Sequence, residues 1–266
     1  MAKLKLDGAI NARDLGGIVT PLGKIKENKL LRSGELSRLT PEDVDTLLSH
    51  CLTRVVDLRT QLEQANSPNV VIQGVEYVNV PIIEATTFGI TYEKSDGAEI
   101  ALMLKRGIDR MAARGETPSA HLSILYRKFV NDEFCRKGYG KFLKTLARPT
   151  VGATLWHCSV GKDRCGTCAA LLLYCLGASK EQIYADYMLT NEQTAEHRDM
   201  ILNKVRDFVS AEDLELIAIM RSVRTEYLDS FFEDIESKFG TVDNFLAACG
   251  VTDADVEALR QNYLDR

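Results

Sequence analysis

Trp156-His157-Cys158-Ser159-Val160-Gly161-Lys162-Asp163-Arg164-Cys165-Gly166-Thr167 is the stretch on which the reading of this chain turns. A β-prone segment over 151–156 leads into it, and an unbroken apolar run over 168–176 follows. The predicted order is strand, glycine-bearing turn, then a buried helix beginning at Arg164. Five residues separate Cys158 from Arg164. The backbone N–H groups of 159–164 can turn inward around one centre, and the positive end of the following helix adds to them. Gly161 permits a left-handed backbone angle. Arg164 offers a planar fork that matches two oxygens of a phosphate. Ser159, Val160, Gly161 and Lys162 are therefore candidate phosphate-binding residues.

The same field acts on Cys158. An ordinary thiol with a pKa near 8.5 is only about 3% thiolate at pH 7, whereas a helix N-terminus and nearby cations lower the pKa to about 3.5–7.5. A thiolate beside a bound phosphoryl group is a positioned nucleophile. The expected reaction has two steps: Cys158 attacks phosphorus to form a thiophosphate, and water then hydrolyses it. Neither metal nor other cofactor is expected. The leaving oxygen needs a proton. Asp163, inside the cradle, is the first candidate donor, and Asp57, at a predicted strand end, is the second. Asp57 has the alternative of pairing with Arg13 or Arg59. Lys162 either touches substrate or raises the local potential. His157 is expected to support the loop by hydrogen bonding.

Outward from this loop the chain reads as one α/β domain over 1–266. Its 266 residues are 45% hydrophobic and 27% charged, as in ordinary soluble proteins. Short buried strands are predicted at Leu30–Leu31, 53–56 and 75–81, with a helix between the first two that starts at Thr40-Pro41 and runs to about Ser49. Residues 82–98 read as loop. Helical patterns over about 98–113 and 119–147 form an insertion before the central strand. After Gly177 all is helical: Leu228, Phe231, Phe232, Ile235 and Phe239 make one apolar stripe, and Gly240 and Gly250 sit at C-terminal caps. Alternating strands and helices imply a mostly parallel central sheet flanked by helices. The net charge of −5 divides into −9 over 207–266 and +4 before it, too weakly basic for a duplex nucleic-acid binder. No apolar run reaches the roughly 20 residues of a membrane span. Seven irregularly spaced cysteines fit a reducing compartment, so a cytoplasmic location is expected, with signal-less export left open.

His157–Gly166 resembles the HCxxGKDRTG loop of the atypical bacterial and fungal tyrosine and lipid phosphatases, within the cysteine-based phosphatase superfamily. Asn11-Ala12-Arg13-Asp14-Leu15-Gly16-Gly17, Leu31-Arg32-Ser33-Gly34 and Val55-Val56-Asp57-Leu58-Arg59 resemble further family motifs. Arg224-Thr225-Glu226-Tyr227-Leu228 and Phe239-Gly240 resemble its C-terminal helical pattern. The resemblance implies a phosphatase α/β fold with the helical insertion, about 98–147, as a lid over the site. It implies phosphotyrosine as substrate, with phosphoserine/threonine or phosphoinositide as further classes. It places an aspartate in the loop as general acid. It also implies a hydroxyl after the loop arginine that hydrogen-bonds the thiolate, and this chain has Cys165 there instead. A thiol is a weaker donor, so the second step is expected to be slow, and Cys165 is placed to form a reversible disulfide with Cys158.

Other readings compete. Cys165-Gly166-Thr167-Cys168 is a CxxC of redox type, but all six prolines lie before it, so the downstream cis-proline of a thioredoxin-like fold is missing. A zinc site from His157, Cys158, Cys165 and Cys168 would leave Gly161, Lys162 and Arg164 without a role. A catalytically weak phosphate-binding module would keep the cradle without needing the thiolate.

Overall fold

The structure, a computed structural model, describes residues 2–84 and 97–265. Most of the predicted 82–98 loop therefore lies outside the described residues. The chain opens with short strands β1 (Ala2–Lys3), β2 (Arg13–Asp14), β3 (Val19–Thr20) and β4 (Gly23–Ile25), none of which the sequence pattern announced, and then β5 (Leu30–Ser33). Helix α1 (Pro41–Ser49) starts and ends where expected: the Thr40 hydroxyl accepts the Asp43 N–H and the Asp43 carboxylate accepts the Thr40 N–H. Strand β6 (Leu52–Asp57), helix α2 (Gln61–Asn66) and strand β7 (Glu76–Asn79) follow.

The insertion holds three helices: α3 (Gly97–Ala112), α4 (Pro118–Asn131) and α5 (Glu133–Ala147). The single helix expected over 119–147 breaks at Asp132, whose backbone is extended and whose carboxylate accepts the Phe134 N–H to start α5. The central strand β8 (Ala153–His157) begins two residues later than expected, because Val151 is outside the sheet and 92% exposed. Helix α6 (Asp163–Cys175) starts one residue before Arg164. Then come α7 (Lys180–Gln193), α8 (Ala195–Val205), α9 (Ala211–Met220), α10 (Thr225–Phe239), α11 (Val242–Ala248) and α12 (Asp253–Tyr263). The all-helical tail ends in a short strand, β9 (Leu264–Asp265).

The main sheet has the order β1-β2-β5-β8-β6-β7, with β5, β8, β6 and β7 parallel and β1 and β2 antiparallel at one edge. Strands β3, β4 and β9 form a separate small sheet. Both faces of the main sheet are buried, as parallel sheets require. Leu30, Val56 and Trp156 face a large core built with α5, α6, α10 and α12, while their neighbours Leu31, Val55 and Leu155 face a second core with Leu47 of α1. Of the predicted C-terminal stripe, Leu228, Phe231 and Ile235 are fully buried, and Phe232 and Phe239 pack half-buried against them.

The insertion does not act as one cover. Tyr139, Phe142, Leu143 and Leu146 of α5 belong to the main core. Helix α3 instead forms a satellite core with α8 and α9, in which Ile100, Leu104 and Ile108 meet Ile201, Val205 and Ile217. What covers the cleft is thus assembled from α4 and from helices some 50 residues further on.

Register levels the C-terminal ends of the parallel strands: Ser33 and Asp57 pair with His157, and Asn79 pairs with Asp57. Ligands of open α/β sheets bind beyond such ends, and the loop after β8 emerges there between two strands.

Core packing around α5 is tight enough to test. A Cβ on Gly140 would lie 1.9 Å from the Cys249 carbonyl oxygen after α11. In an open helix Gly140→Ala would gain about 1 kcal/mol. Here the clash prevails, and denaturant unfolding should show a net loss of about 1–3 kcal/mol. A raised midpoint would mean that α5 and α11 part freely.

Candidate active site

The loop after β8 is shaped from behind. Its carbonyls are taken by outside donors. The Ser159 oxygen accepts the Glu35 N–H at 3.0 Å. The Gly161 oxygen accepts both Asn11 Nδ2 and Arg32 Nη2 at 2.8 Å, and Asn11 also reaches the Val160 oxygen at 3.3 Å. In a trans peptide the N–H points opposite to the C=O. Drawing the carbonyls of 159–161 outward therefore turns the N–H groups of 160–162 inward. Among the described residues none of the N–H groups of Ser159 to Arg164 donates to a backbone carbonyl outside α6. Gly161 has φ +70°, and a Cβ there would sit 2.6 Å from the Ser33 oxygen, so the turn demands glycine.

The supports are themselves supported. Asp186 of α7 is buried and binds Arg13 Nε at 2.8 Å and Arg32 Nη1 at 2.5 Å. Arg13 also donates to Asn11 Oδ1. Asp14 fixes the N-terminal turn by accepting the N–H groups of Gly16 and Asn28. The resemblance motifs at Asn11, Arg13 and Arg32 are thus the scaffold of the loop. Nothing in the sequence marks Asp186, one of three acids on its helix with no motif around it.

Cys158 is buried at the floor of this cradle, 3% exposed. Burial alone pushes its pKa up. The Cys165 side-chain hydrogen bond, the Arg164 charge and the Cys165 backbone N–H outweigh that, against an opposing push from Asp163, and leave the pKa at about 6. The group is then about nine-tenths thiolate at pH 7. Burial and the neighbouring Cys158 hold the Cys165 thiol well above its ordinary value, so it stays an S–H donor. That S–H also lies 3.6 Å from the Ser33 oxygen, and its one proton serves only one acceptor at a time.

Arg164 is held by Glu63, which the sequence reading missed. Both guanidinium ends meet the Glu63 carboxylate at 2.8 Å, and the Ser159 hydroxyl donates to it at 2.8 Å. Glu63 is also the N3 residue of a capping box with Thr60 at the start of α2. The Thr60-x-x-Glu63 spacing was therefore a legible signal for the cap, though not for the arginine. Burial raises the Glu63 pKa, but the Arg164 hydrogen bond and charge prevail and bring it to about 2.

Asp57 is not in the cleft. Its carboxylate accepts from Arg59 side chain and backbone at 2.8–3.2 Å and from Asn69 Nδ2 at 3.0 Å, with His157 Nε2 3.5 Å away. Burial raises its pKa, but His157 and Arg59 hold it below the usual range. An already ionised, fully paired carboxylate away from the cavity does not suit a proton donor, so the second-candidate reading is corrected to the pairing with Arg59. His157 is fully buried. Its Nδ1 lies 3.2 Å from the Cys158 oxygen and its Nε2 lies 3.1 Å from Asn69 Nδ2. These partners assign a neutral ring with the proton on Nδ1, and burial keeps its pKa low.

The cavity over the cradle has a volume of about 60 Å³ and is partly open. Cys158, Asp163 and Arg164 lie at its floor. Ile83, Leu122, Leu125 and Phe129 make an apolar wall, and His197, Arg198, Met220 and Arg221 close the top. Asp163 accepts from the Tyr126 hydroxyl at 2.9 Å. Lys162 Nζ donates to the Met220 and Ser222 carbonyls at 2.8 and 3.2 Å and lies 3.4 Å from Asp163.

A cysteine of lowered pKa in a loop of inward N–H groups at the end of a parallel strand is the arrangement of the cysteine-dependent phosphatases. The family model described as "Tyrosine phosphatase family" matches residues 4–265. The chain is 29% identical to a Cupriavidus necator protein named as a tyrosine-protein phosphatase, over 98% of this chain and 88% of the other. It is 28% identical to the triple specificity protein phosphatase PtpB of Mycobacterium tuberculosis, over 98% of both chains. A tyrosine-protein phosphatase of Nostoc commune is 26% identical over 62% of this chain and 49% of its own. The chain belongs to the tyrosine phosphatase family, hydrolases that work through a cysteinyl-phosphate. Among the described residues no helix is long and apolar enough to cross a membrane.

Two measurements check this electrostatic picture. Alkylation of Cys158 by iodoacetamide should be half-maximal near pH 6. Cys165→Ala, which removes a donor to the thiolate, should move that midpoint upward; a wild-type midpoint at 8 or above would contradict the site. Glu63 has a depressed pKa, so its stabilising contribution is complete above about pH 4.5 and is lost as pH falls toward 2. It is on the order of 3 kcal/mol. The stability of Glu63→Gln should accordingly fall less steeply than wild type across that acid window.

Proposed function

We propose that Cys158 is the nucleophile, Arg164 and the inward N–H groups of the loop bind the phosphoryl oxygens, and Asp163 protonates the leaving oxygen. The observation that carries this is the joining of a thiolate of pKa about 6 to a loop whose carbonyls at 159–161 are drawn outward. Arg164 keeps its Nε–H and one Nη1–H without an acceptor among the described residues, which leaves it donors for phosphoryl oxygens. As the P–O bond breaks, the leaving oxygen takes the Asp163 proton. In the second step the Asp163 carboxylate takes a proton from water, and water attacks phosphorus and expels the Cys158 thiolate. Tyr126 orients Asp163 for both steps. Cys165 supplies the hydrogen bond that eases thiolate departure, and as a weak donor it leaves the second step slow. Asp57 and His157 act by holding the loop, and Lys162 by tying it to the cover.

The substrate is a phosphorylated protein side chain or a phosphoinositide. The cavity over Cys158 offers an apolar wall of Ile83, Leu122, Leu125 and Phe129 for the carbon part of such a substrate and the cradle for its phosphoryl group. The thiolate nucleophile and seven free cysteines fit a reducing cytoplasm.

Steady-state rates test the assignment. Cys158→Ser should lose turnover of 4-nitrophenyl phosphate by about 10³-fold or more. Asp163→Asn should lose about 10²–10⁴-fold on phosphoserine, whose leaving oxygen needs the proton, and far less on 4-nitrophenyl phosphate. Equal losses on both substrates would remove Asp163 as the acid. Equal inertness of wild type and Cys158→Ser would remove the enzyme reading.

A further inference from the structure

The segment between β1 and β2 is held at both ends and left open in the middle. The Leu4 N–H donates to the Ala12 oxygen at 3.0 Å. The N–H groups of Asp7 and Gly8 both donate to the Asp43 carboxylate in the first turn of α1, at 2.7 Å. Between them the N–H groups of Lys5 and Leu6 meet no acceptor among the described residues. Strand β1 is also the edge of the main sheet, and among the described residues it pairs with β2 alone. A fixed edge with unpaired main-chain groups is a template for another extended chain.

This segment is one wall of an open cleft of about 750 Å³, within the size range of ligand sites. Gln193, at the end of α7, lines the cleft as well, and its Oε1 is buried with no hydrogen-bond partner among the described residues. A buried amide oxygen in that condition calls for a donor from outside. The charges along the cleft balance, Lys3, Lys5 and Arg38 against Asp7, Glu35 and Glu196. Such a lining presents no net field to a polyanion and suits a neutral hydrogen-bonding chain. Ser159 and His197 line both this cleft and the cavity over Cys158, so one chain can run from the first into the second.

We propose that this cleft is a main-chain binding site, which holds an extended stretch of polypeptide next to the phosphorylated residue through the N–H groups of Lys5 and Leu6 and the amide of Gln193. The inference rests on the reading of Cys158 as the place of hydrolysis and adds a site outside that cavity. Hydrogen bonds to a peptide backbone are indifferent to side-chain identity. The cleft therefore rewards the presence of a flanking chain and not a sequence motif.

The test compares kcat/KM on 4-nitrophenyl phosphate, capped phosphotyrosine, a short-chain phosphatidylinositol phosphate, and phosphotyrosine peptides extended with neutral residues on the N-terminal side, the C-terminal side or both. Extension on one side should raise the wild-type value by roughly tenfold or more, the combined effect of a few net hydrogen bonds. Gln193→Ala, and Lys5→Pro, which deletes an unpaired N–H, should each remove about three- to tenfold of that gain. Both variants should leave 4-nitrophenyl phosphate and capped phosphotyrosine unchanged. Lys5→Ala should keep the gain, because the main chain and not the ammonium carries it. Peptides N-methylated at the flanking amides should lose the gain in wild type, and Gln193→Ala should then cost nothing more. That last comparison decides the matter even where Lys5→Pro disturbs the fold of the segment. The proposal is overturned if extension gives wild type no gain, or if Gln193→Ala and N-methylation leave the gain intact. It is equally overturned if Lys5→Ala loses as much as Lys5→Pro, if every substrate including 4-nitrophenyl phosphate loses alike, or if the loss is confined to the lipid. Titration of Cys158→Ser with the extended peptide and with capped phosphotyrosine separates the two readings. Tighter binding of the peptide that depends on Gln193 keeps the cleft even if wild type hydrolyses nothing, whereas turnover of aryl phosphate with no gain on extension removes the cleft alone.

Discussion

Three loop carbonyls held from behind are the constraint on which the rest depends. A chain of seven residues that turns its N–H groups toward one point leaves its carbonyls pointing the other way, into protein, and each needs a donor there. Asn11, Arg32 and the Glu35 N–H meet that need. Asn11 comes from the N-terminal segment, Arg32 from the strand beside β8, and Glu35 from the turn after that strand. The buried charges of Arg32 and of Arg13, which holds Asn11, are matched by Asp186 from a helix more than 150 residues away in sequence. Breaking such a buried pair on one side leaves an unmatched charge, so the anion site, the N-terminal segment and α7 stand or fall together.

The cradle separates charges that would otherwise collapse onto one another. Glu63 engages Arg164 from the side, which stops the arginine from closing on the Cys158 thiolate while keeping its positive field nearby. Asp57, Arg59, Asn69 and His157 form a satisfied network under the loop, in which every strong donor finds an acceptor. This leaves His157 neutral and the Cys158 carbonyl bonded. The thiolate is therefore stabilised by the groups aimed at it and is not competing with a protonated imidazole.

The cover over the site follows from the same economy of packing. Helix α5 is spent on the main core, and α3 pairs with α8 and α9 in a separate one. A satellite core joined to the body near the pocket can shift without opening the main sheet. Lys162 is the tie between the two, since its ammonium sits on carbonyls at the end of α9.

The segments legible in the sequence were those governed by local chemistry. Thr40-Pro41 marked a helix start, the apolar stripe at Leu228, Phe231 and Ile235 marked a buried face, and the run from Trp156 to Thr167 marked strand, cradle and helix. Each depends on capping, periodicity or turn geometry within a dozen residues. The break at Asp132 was also local, but a carboxylate that caps a helix reads as well as a surface acid, so it stayed hidden. The short strands β1 to β4 and β9 escaped because two- and three-residue strands carry no period.

Local patterns named Cys158, Arg164 and Gly161 because their spacing is itself the chemistry. They could not say that Asp57 faces Arg59 and not the cavity, that Glu63 holds the arginine, that Asp186 anchors Arg13 and Arg32, or that residues of α8 and the end of α9 line the same cavity as Cys158. Those facts belong to contacts between segments up to about 170 residues apart. The sequence alone marked the candidate nucleophile and the turn that cradles it; only the tertiary structure decided which charges are paired beneath that turn, because pairing depends on distances that chain spacing does not encode.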